Sequence, residues 1–85
     1  NKSGMEKIKK AFNALDFKYI ESFGNFISFD SQMDSDSSFD FFLRKGIILR
    51  SLKVYEMPQH LRVSMGLEDE MDAFIKVLEE YKKAL

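Results

Sequence analysis

The sequence predicts a two-layer α+β domain in which helices cover one face of a small, mainly antiparallel β-sheet. Apolar residues recur at three- and four-residue spacing near both ends of the chain, which is typical of amphipathic helices. Short runs rich in aromatic and β-branched residues lie between these helices, separated by turn residues. Because the chain has 85 residues, residues 1–85 are expected to form a single domain. The predicted order of elements is α-β-β-α-β-β-α.

The two terminal helices are predicted from apolar stripes and from signals at their ends. Residues 4–15 are expected to form the first helix, because Ser3 and Glu6 have the spacing of a capping box. Residues 68–83 are expected to form the last helix, with acidic side chains at its start and Lys82 and Lys83 at its end. That distribution of charge favours a helix because it complements the helix dipole.

A short middle helix is predicted after a polar segment. Residues 30–38 are Asp, Ser and Gln with Met33 as the one apolar residue, which indicates a solvated loop. Ser37 and Asp40 repeat the capping spacing, so Ser37 is expected to precede the helix. Gly46 stands where a glycine in the left-handed conformation commonly ends a helix.

Four strands are predicted, at residues 17–20, 25–29, 47–50 and 61–65. A turn that contains Pro58 separates the last two. The sheet face that turns away from the helices would present Ile48 beside two arginines. Since a solvated face is usually polar throughout, this pattern predicts a face that lies against another domain.

The composition argues against several classes of function. Thirteen basic and fourteen acidic residues give a net charge of −1, which indicates no nucleic-acid-binding surface and no basic membrane patch. The chain has no cysteine and no apolar run near the roughly 20 residues that span a bilayer. No disulfide, metal site or membrane span is therefore expected, and the features fit a cytoplasmic protein that binds small molecules or protein surfaces.

Two arginines in strand-like runs are the leading candidates for a binding site. The run G-I-I-L-R ends at Arg50, and L-R-V-S-M-G carries Arg62. Because successive side chains of a strand point to opposite faces, the two guanidinium groups could converge on one anion. The alternative interpretation is a pair of solvated charges on an exposed face.

Four segments spread over the chain carry a resemblance to a known family. They are, in order, N-x-x-G-M at the start, G-N-F at 24–26, R-K-G-I-I-L-R at 44–50 and P-Q-H-L-R-V-S-M-G at 58–66. In this order they resemble the C-terminal small domain of histidinol-phosphate aminotransferase, a pyridoxal-phosphate enzyme of fold-type I. The chain departs from the family pattern after the last segment, where Leu67 and Met71 replace a frequent threonine and asparagine.

The resemblance implies roles for three residues. The arginine that matches Arg62 binds the anionic group attached to the reacting carbon, and the one that matches Arg50 helps it hold the substrate phosphate. Asn25 matches a position near the active site and is a weak candidate, because a loop asparagine is also an ordinary turn residue. No residue of this chain matches a catalytic residue of the family.

The resemblance also implies what lies outside the chain. Pyridoxal phosphate and its Schiff-base lysine would belong to an upstream large domain, and no lysine here matches that nucleophile. The chain begins without Met on a helix-start signal, which fits a cut between domains. The expected partners are that large domain, the second subunit of a homodimer, and the substrates histidinol phosphate and glutamate or 2-oxoglutarate of histidine biosynthesis.

Other interpretations stay open at this point. Within the same class, the chain could belong to an aromatic aminotransferase or to an enzyme like threonine-phosphate decarboxylase. From another class, it could be a free-standing, non-catalytic α+β module that binds a ligand or a protein. His60 is expected to be a surface residue in the Pro58 turn without a catalytic role. The acidic segment that contains Asp34 lacks the glycine and glutamate of a calcium loop, with Lys45 at the twelfth position.

Overall fold

The computed structural model describes residues 2–21, 24–64 and 66–85. Within them lie three α-helices, four strands and one 3₁₀ turn, in this order: α1 (Lys2–Ala14), β1 (Tyr19–Glu21), β2 (Phe26–Asp30), α2 (Ser35–Arg44), β3 (Arg50–Ser51), the 3₁₀ turn (Lys53–Tyr55), β4 (His60–Ser64) and α3 (Glu68–Ala84). The strands form one antiparallel sheet in the order β1-β2-β4-β3. The predicted fold class is confirmed, as is the last helix to within one residue.

All three helices pack on the same face of the sheet. Ile27 and Phe29 of β2 and Leu61 and Val63 of β4 point into one core that also takes the apolar stripes of the helices. The largest side chains of this core are aromatic rings in edge-on, stacked or tilted contact: Phe12, Phe17, Phe29, Phe42, Phe74 and Tyr81. Burying this apolar surface is the main stabilising contribution to so small a domain.

The middle helix begins earlier than the sequence predicts. Its N-cap is Asp34, whose carboxylate accepts a hydrogen bond from the Asp36 backbone N–H at 3.0 Å. Ser37 therefore lies inside the first turn of α2, and its assignment as N-cap is wrong. Similarly, α1 already includes Ser3, so Ser3 does not precede that helix.

The end of α2 follows the prediction for Gly46. This glycine has φ +84°, a left-handed conformation that costs a residue with a Cβ more than it costs glycine. The Gly46 N–H donates to the Leu43 carbonyl at 3.0 Å, and the Ile47 N–H donates to the Phe42 carbonyl at 2.9 Å. These two bonds form a Schellman motif, which ends the helix and turns the chain toward β3.

Residues 30–38 are only partly the solvated loop that their composition predicts, because Gln32, Asp34, Asp36 and Ser37 are exposed but three serines are not. Ser31, Ser35 and Ser38 are fully buried, and their hydroxyl groups are paired with each other, with Ser51 or with nearby backbone. The Ser31 Oγ lies 2.9 Å from the Ser38 Oγ and 2.7 Å from the Gln59 carbonyl oxygen. Above this cluster, the Tyr81 hydroxyl donates to the Ser31 carbonyl. Small polar side chains can be buried here because every hydroxyl has a partner.

Replacing Tyr81 with phenylalanine is expected to destabilise the chain by about 1 to 3 kcal/mol, because a buried carbonyl loses its donor. Burial raises the pKa of the Tyr81 hydroxyl above 10.0. The tyrosine of the unfolded chain then ionises at a lower pH than that of the folded chain. The free energy of unfolding of the wild type should therefore fall as the pH rises above 10.0, and the fall should be smaller in Tyr81→Phe. Denaturant titrations at several pH values measure both effects. Tyr55→Phe, at an exposed tyrosine, is the matched control and should change neither.

The strands differ from their predicted bounds mainly at the edges of the sheet. Residues 47–49 approach β4 without pairing, so the third strand is limited to Arg50–Ser51. The first strand lies at Tyr19–Glu21 rather than at residues 17–20. Met65, the predicted end of the fourth strand, lies outside the described residues. No helix in the described part of the chain is both long enough and apolar enough to cross a membrane.

Candidate anion-binding site

The candidate site lies on the sheet face opposite the helices, which we call the outer face. The alternation of β2 and β4 places Phe26, Ser28, Arg62 and Ser64 on this face, because Ile27, Phe29, Leu61 and Val63 occupy the core. Arg50 joins them from the edge strand. The prediction is therefore confirmed for the two arginines, whereas Ile48 lies before β3 and is not part of the strand.

Arg50 and Arg62 are direct cross-strand partners. The antiparallel register of β3 and β4 pairs Arg50 with Arg62, and that of β2 and β4 pairs Arg62 with Ser28. Side chains in directly opposite positions have Cβ atoms about 4.5 to 5.5 Å apart, and like charges placed there repel. Among the described residues, neither arginine forms an ion pair with a carboxylate. An anion between the two guanidinium groups would relieve the repulsion.

Arg62 is the more enclosed of the two arginines. Its guanidinium carbon lies 4.3 Å from the centre of the Phe26 ring, which is a close cation–π contact. Its Nε is buried and has no hydrogen-bond partner within the described part of the chain. Ser28, the direct partner of Arg62 on β2, is small and only 7% exposed. The side chain is thus held by packing rather than by hydrogen bonds from its neighbours.

Arg50 is exposed, and its direction is set by the residue that follows it. The Ser51 hydroxyl lies 2.8 Å from the hydroxyl of Ser35, which is fully buried at the start of α2. Ser51 is thereby held toward the helices, and the alternation of the strand turns Arg50 to the outer face. The Ser51 Oγ also accepts a hydrogen bond from the Lys53 N–H at 3.2 Å, which begins the 3₁₀ turn.

Two other residues that the sequence singles out lie at the starts of β2 and β4. Asn25 is exposed in the turn between β1 and β2, directly before Phe26. His60 is half-buried and is the first residue of β4, opposite Asp30, so it belongs to a strand rather than to the Pro58 turn. Ile48 is 79% exposed and lies just before β3, which leaves a large apolar side chain in water.

The sequence interpretation missed two members of the site, Phe26 and Ser28. Both are visible as the outward positions of F-I-S-F-D, since Ile27 and Phe29 alternate with them. Their link to Arg62 requires the register of β2 against β4, which joins residues far apart in the chain. No local pattern predicts that register.

Solved structures share this fold across nearly the whole chain. A candidate aminotransferase from Burkholderia pseudomallei superposes with a TM-score of 0.85, covering 94% of this chain and 24% of its own length, at 21% identity. A candidate histidinol-phosphate aminotransferase from Erwinia carotovora atroseptica gives a TM-score of 0.84 over 95% of the chain and 23% of its own, also at 21% identity. At such identities the likeness defines the fold, which is that of one unit within larger chains.

Sequence relatives identify the group more narrowly. The chain is 40% identical over 79 residues to histidinol-phosphate aminotransferase 1 of Nitrosococcus oceani, and 42% identical over 78 residues to histidinol-phosphate aminotransferase 2 of Pseudomonas aeruginosa. These alignments cover 93% and 92% of the chain but 21% of each relative. No protein-family model matches the chain. The chain is thus related to the histidinol-phosphate aminotransferases and corresponds to a segment of about one fifth of their length.

Proposed function

We propose that the chain is the C-terminal small domain of a pyridoxal-phosphate-dependent histidinol-phosphate aminotransferase. In this proposal Arg62 and Arg50 bind the anionic group of the substrate on the outer face. The whole enzyme is cytoplasmic and homodimeric, acts in histidine biosynthesis, and transfers an amino group between histidinol phosphate and 2-oxoglutarate. The sequence identity of about 40% to enzymes of that name supports the choice of substrate.

The observation that carries the proposal is the direct pairing of two arginines without a neutralising carboxylate among the described residues. A surface that only needs solubility gains nothing from two like charges in opposite positions. A phosphate monoester carries a charge of about −1.5 to −2 at neutral pH and can accept from both guanidinium groups. Ile48, just before β3, is 79% exposed, and an exposed apolar side chain of this size suits a surface that another domain covers.

The same site would serve both halves of the reaction. Arginine presents a planar fork that matches two oxygens of either a phosphate or a carboxylate. Arg62 therefore can hold the phosphate of histidinol phosphate in one half-reaction and the α-carboxylate of glutamate in the other. Arg50 adds a second positive charge, which a dianionic phosphate uses more fully than a carboxylate does.

Pyridoxal phosphate, when bound to the full enzyme, supplies the electron sink for this chemistry. We propose that the side chains described here hold no part of it. No lysine side chain among them is buried, and Lys7, Lys9 and Lys53 are engaged in surface ion pairs. The chain's own contribution is to bind and orient the substrate, and we place the cofactor in the large domain.

The isolated chain is expected neither to bind pyridoxal phosphate covalently nor to transaminate, because no described lysine side chain is buried, as activation of a nucleophilic lysine by desolvation requires. After incubation with the cofactor and dialysis, its absorbance spectrum should show no residual cofactor band. The full-length protein treated in the same way is the control and should retain one. A band that is trapped by borohydride reduction on a single lysine of this chain would contradict the expectation.

Assays of the full-length protein distinguish the proposed function from its alternatives. Activity with histidinol phosphate and 2-oxoglutarate supports it, preference for an aromatic amino acid favours the aromatic aminotransferases, and release of CO₂ from a threonine phosphate favours the decarboxylase. If the chain is instead a free-standing module, its gene should encode no further domain. About 250 additional upstream residues, with a lysine after a strand, would exclude that module.

A further inference from the structure

The contact between Phe26 and Arg62 has a more specific meaning than packing, and its interpretation rests on the proposed function. Arg62 forms no ion pair with a carboxylate among the described residues, yet the side chain is half-buried rather than extended into water. What holds it is the Phe26 ring, 4.3 Å from the guanidinium carbon. A flat cation that stacks on an aromatic face keeps the orientation of its plane.

The burial of Nε indicates which edge of the guanidinium group would meet a ligand. Nε is shielded from solvent and has no acceptor within the described residues. A ligand oxygen that bonded Nε would have to displace the atoms that cover it. This leaves Nη1 and Nη2 as the fork for a ligand.

We propose that Phe26 is a positioning residue for Arg62, holding the guanidinium plane so that Nη1 and Nη2 receive the substrate's phosphate or carboxylate end-on. In this role Phe26 makes no contact with the reacting atoms of the substrate and acts only through Arg62. It lowers the entropic cost of binding, because Arg62 is already held in its binding orientation before the anion arrives. Its loss should then weaken binding of every substrate that Arg62 holds.

The test uses the full-length enzyme and four variants at Phe26 or its control position. Phe26→Leu and Phe26→Met keep an apolar side chain but remove the aromatic face. Phe26→Tyr retains the aromatic face. Phe41→Leu is the matched control, because Phe41 is also half-buried and also lies under a cation, Lys45, at 5.9 Å on the helical side. KM and kcat for histidinol phosphate and for glutamate are measured with the thermal midpoint of each variant.

Phe26→Leu and Phe26→Met are expected to raise KM for both substrates by about 2- to 30-fold, the range for a lost cation–π contact, with little change in kcat. Phe26→Tyr should restore the wild-type KM, and Phe41→Leu should leave it unchanged. In an Arg62→Lys background most of the effect should disappear, because an ammonium group has no plane to orient.

Two results would overturn the inference, and they are distinguishable from failure of the proposed function. If Arg62→Lys impairs the enzyme but Phe26→Leu and Phe26→Met raise KM no more than Phe41→Leu, the role of Phe26 is wrong. The role of Phe26 is also wrong if Phe26→Leu raises KM by the same factor in the wild-type enzyme and in the Arg62→Lys variant. If Arg62→Lys itself leaves the kinetics unchanged, the anion site fails, and the role of Phe26 fails with it.

Discussion

Arg62→Lys in the full-length enzyme is expected to lower kcat/KM for histidinol phosphate and for glutamate alike. Lysine keeps the positive charge but loses the planar fork, so bidentate recognition is lost for phosphate and for carboxylate. One charge-assisted hydrogen bond contributes about 1.5 to 3 kcal/mol, which corresponds to about 10- to 150-fold in each half-reaction. Steady-state kinetics with each substrate varied in turn measure both losses.

Arg44→Lys is the matched control for this variant. Arg44 is exposed on α2 and forms only a surface ion pair with Asp40, at 2.8 Å across one helical turn. Such pairs contribute little, so Arg44→Lys should leave the kinetics and stability near the wild-type values. A loss confined to one substrate in Arg62→Lys would contradict a single site that serves both half-reactions.

Arg50→Ala is expected to discriminate between the two substrates. Arg50 is exposed at the edge strand, opposite Arg62, and is proposed to meet the second charge of the phosphate. A carboxylate lacks that charge, so kcat/KM should fall by about 10- to 150-fold for histidinol phosphate and far less for glutamate. The ratio of the two losses is the quantity that tests the assignment.

The stability of Arg50→Ala separates binding from folding. Removing one of two opposed like charges should not lower the thermal midpoint, and it is expected to raise it slightly at low salt. Arg44→Ala provides the control for loss of a surface charge. Equal losses on both substrates with an unchanged midpoint would show that Arg50 does not discriminate phosphate, and would favour an aromatic aminotransferase.

The polar segment at residues 30–38 shows where composition misleads. Its Asp and Ser residues indicate a solvated loop, but Ser31, Ser35 and Ser38 are fully buried. Their hydroxyl groups are satisfied by each other, by backbone carbonyls and by Ser51, which lies in another element. Whether a small polar side chain can be buried depends on partners that only the tertiary structure supplies.

The sequence by itself determined the features that depend on neighbours along the chain. The apolar period of the terminal helices, the left-handed Gly46 and the alternation that sets Arg62 apart from Leu61 and Val63 are all local. Each follows from helix or strand geometry over a few residues. The motifs that resemble an aminotransferase can also be recognised from the sequence, because each is a short run of neighbouring residues.

Only the tertiary structure decided what surrounds Arg62. It inserts β4 between β2 and β3, so that Ser28 and Arg50 flank Arg62 and the Phe26 ring lies against its guanidinium group. A shift of register by one residue would turn these side chains to the other face. That register is set by the fit of the whole apolar core, because the pairing residues are distant in sequence and carry no local signal for each other.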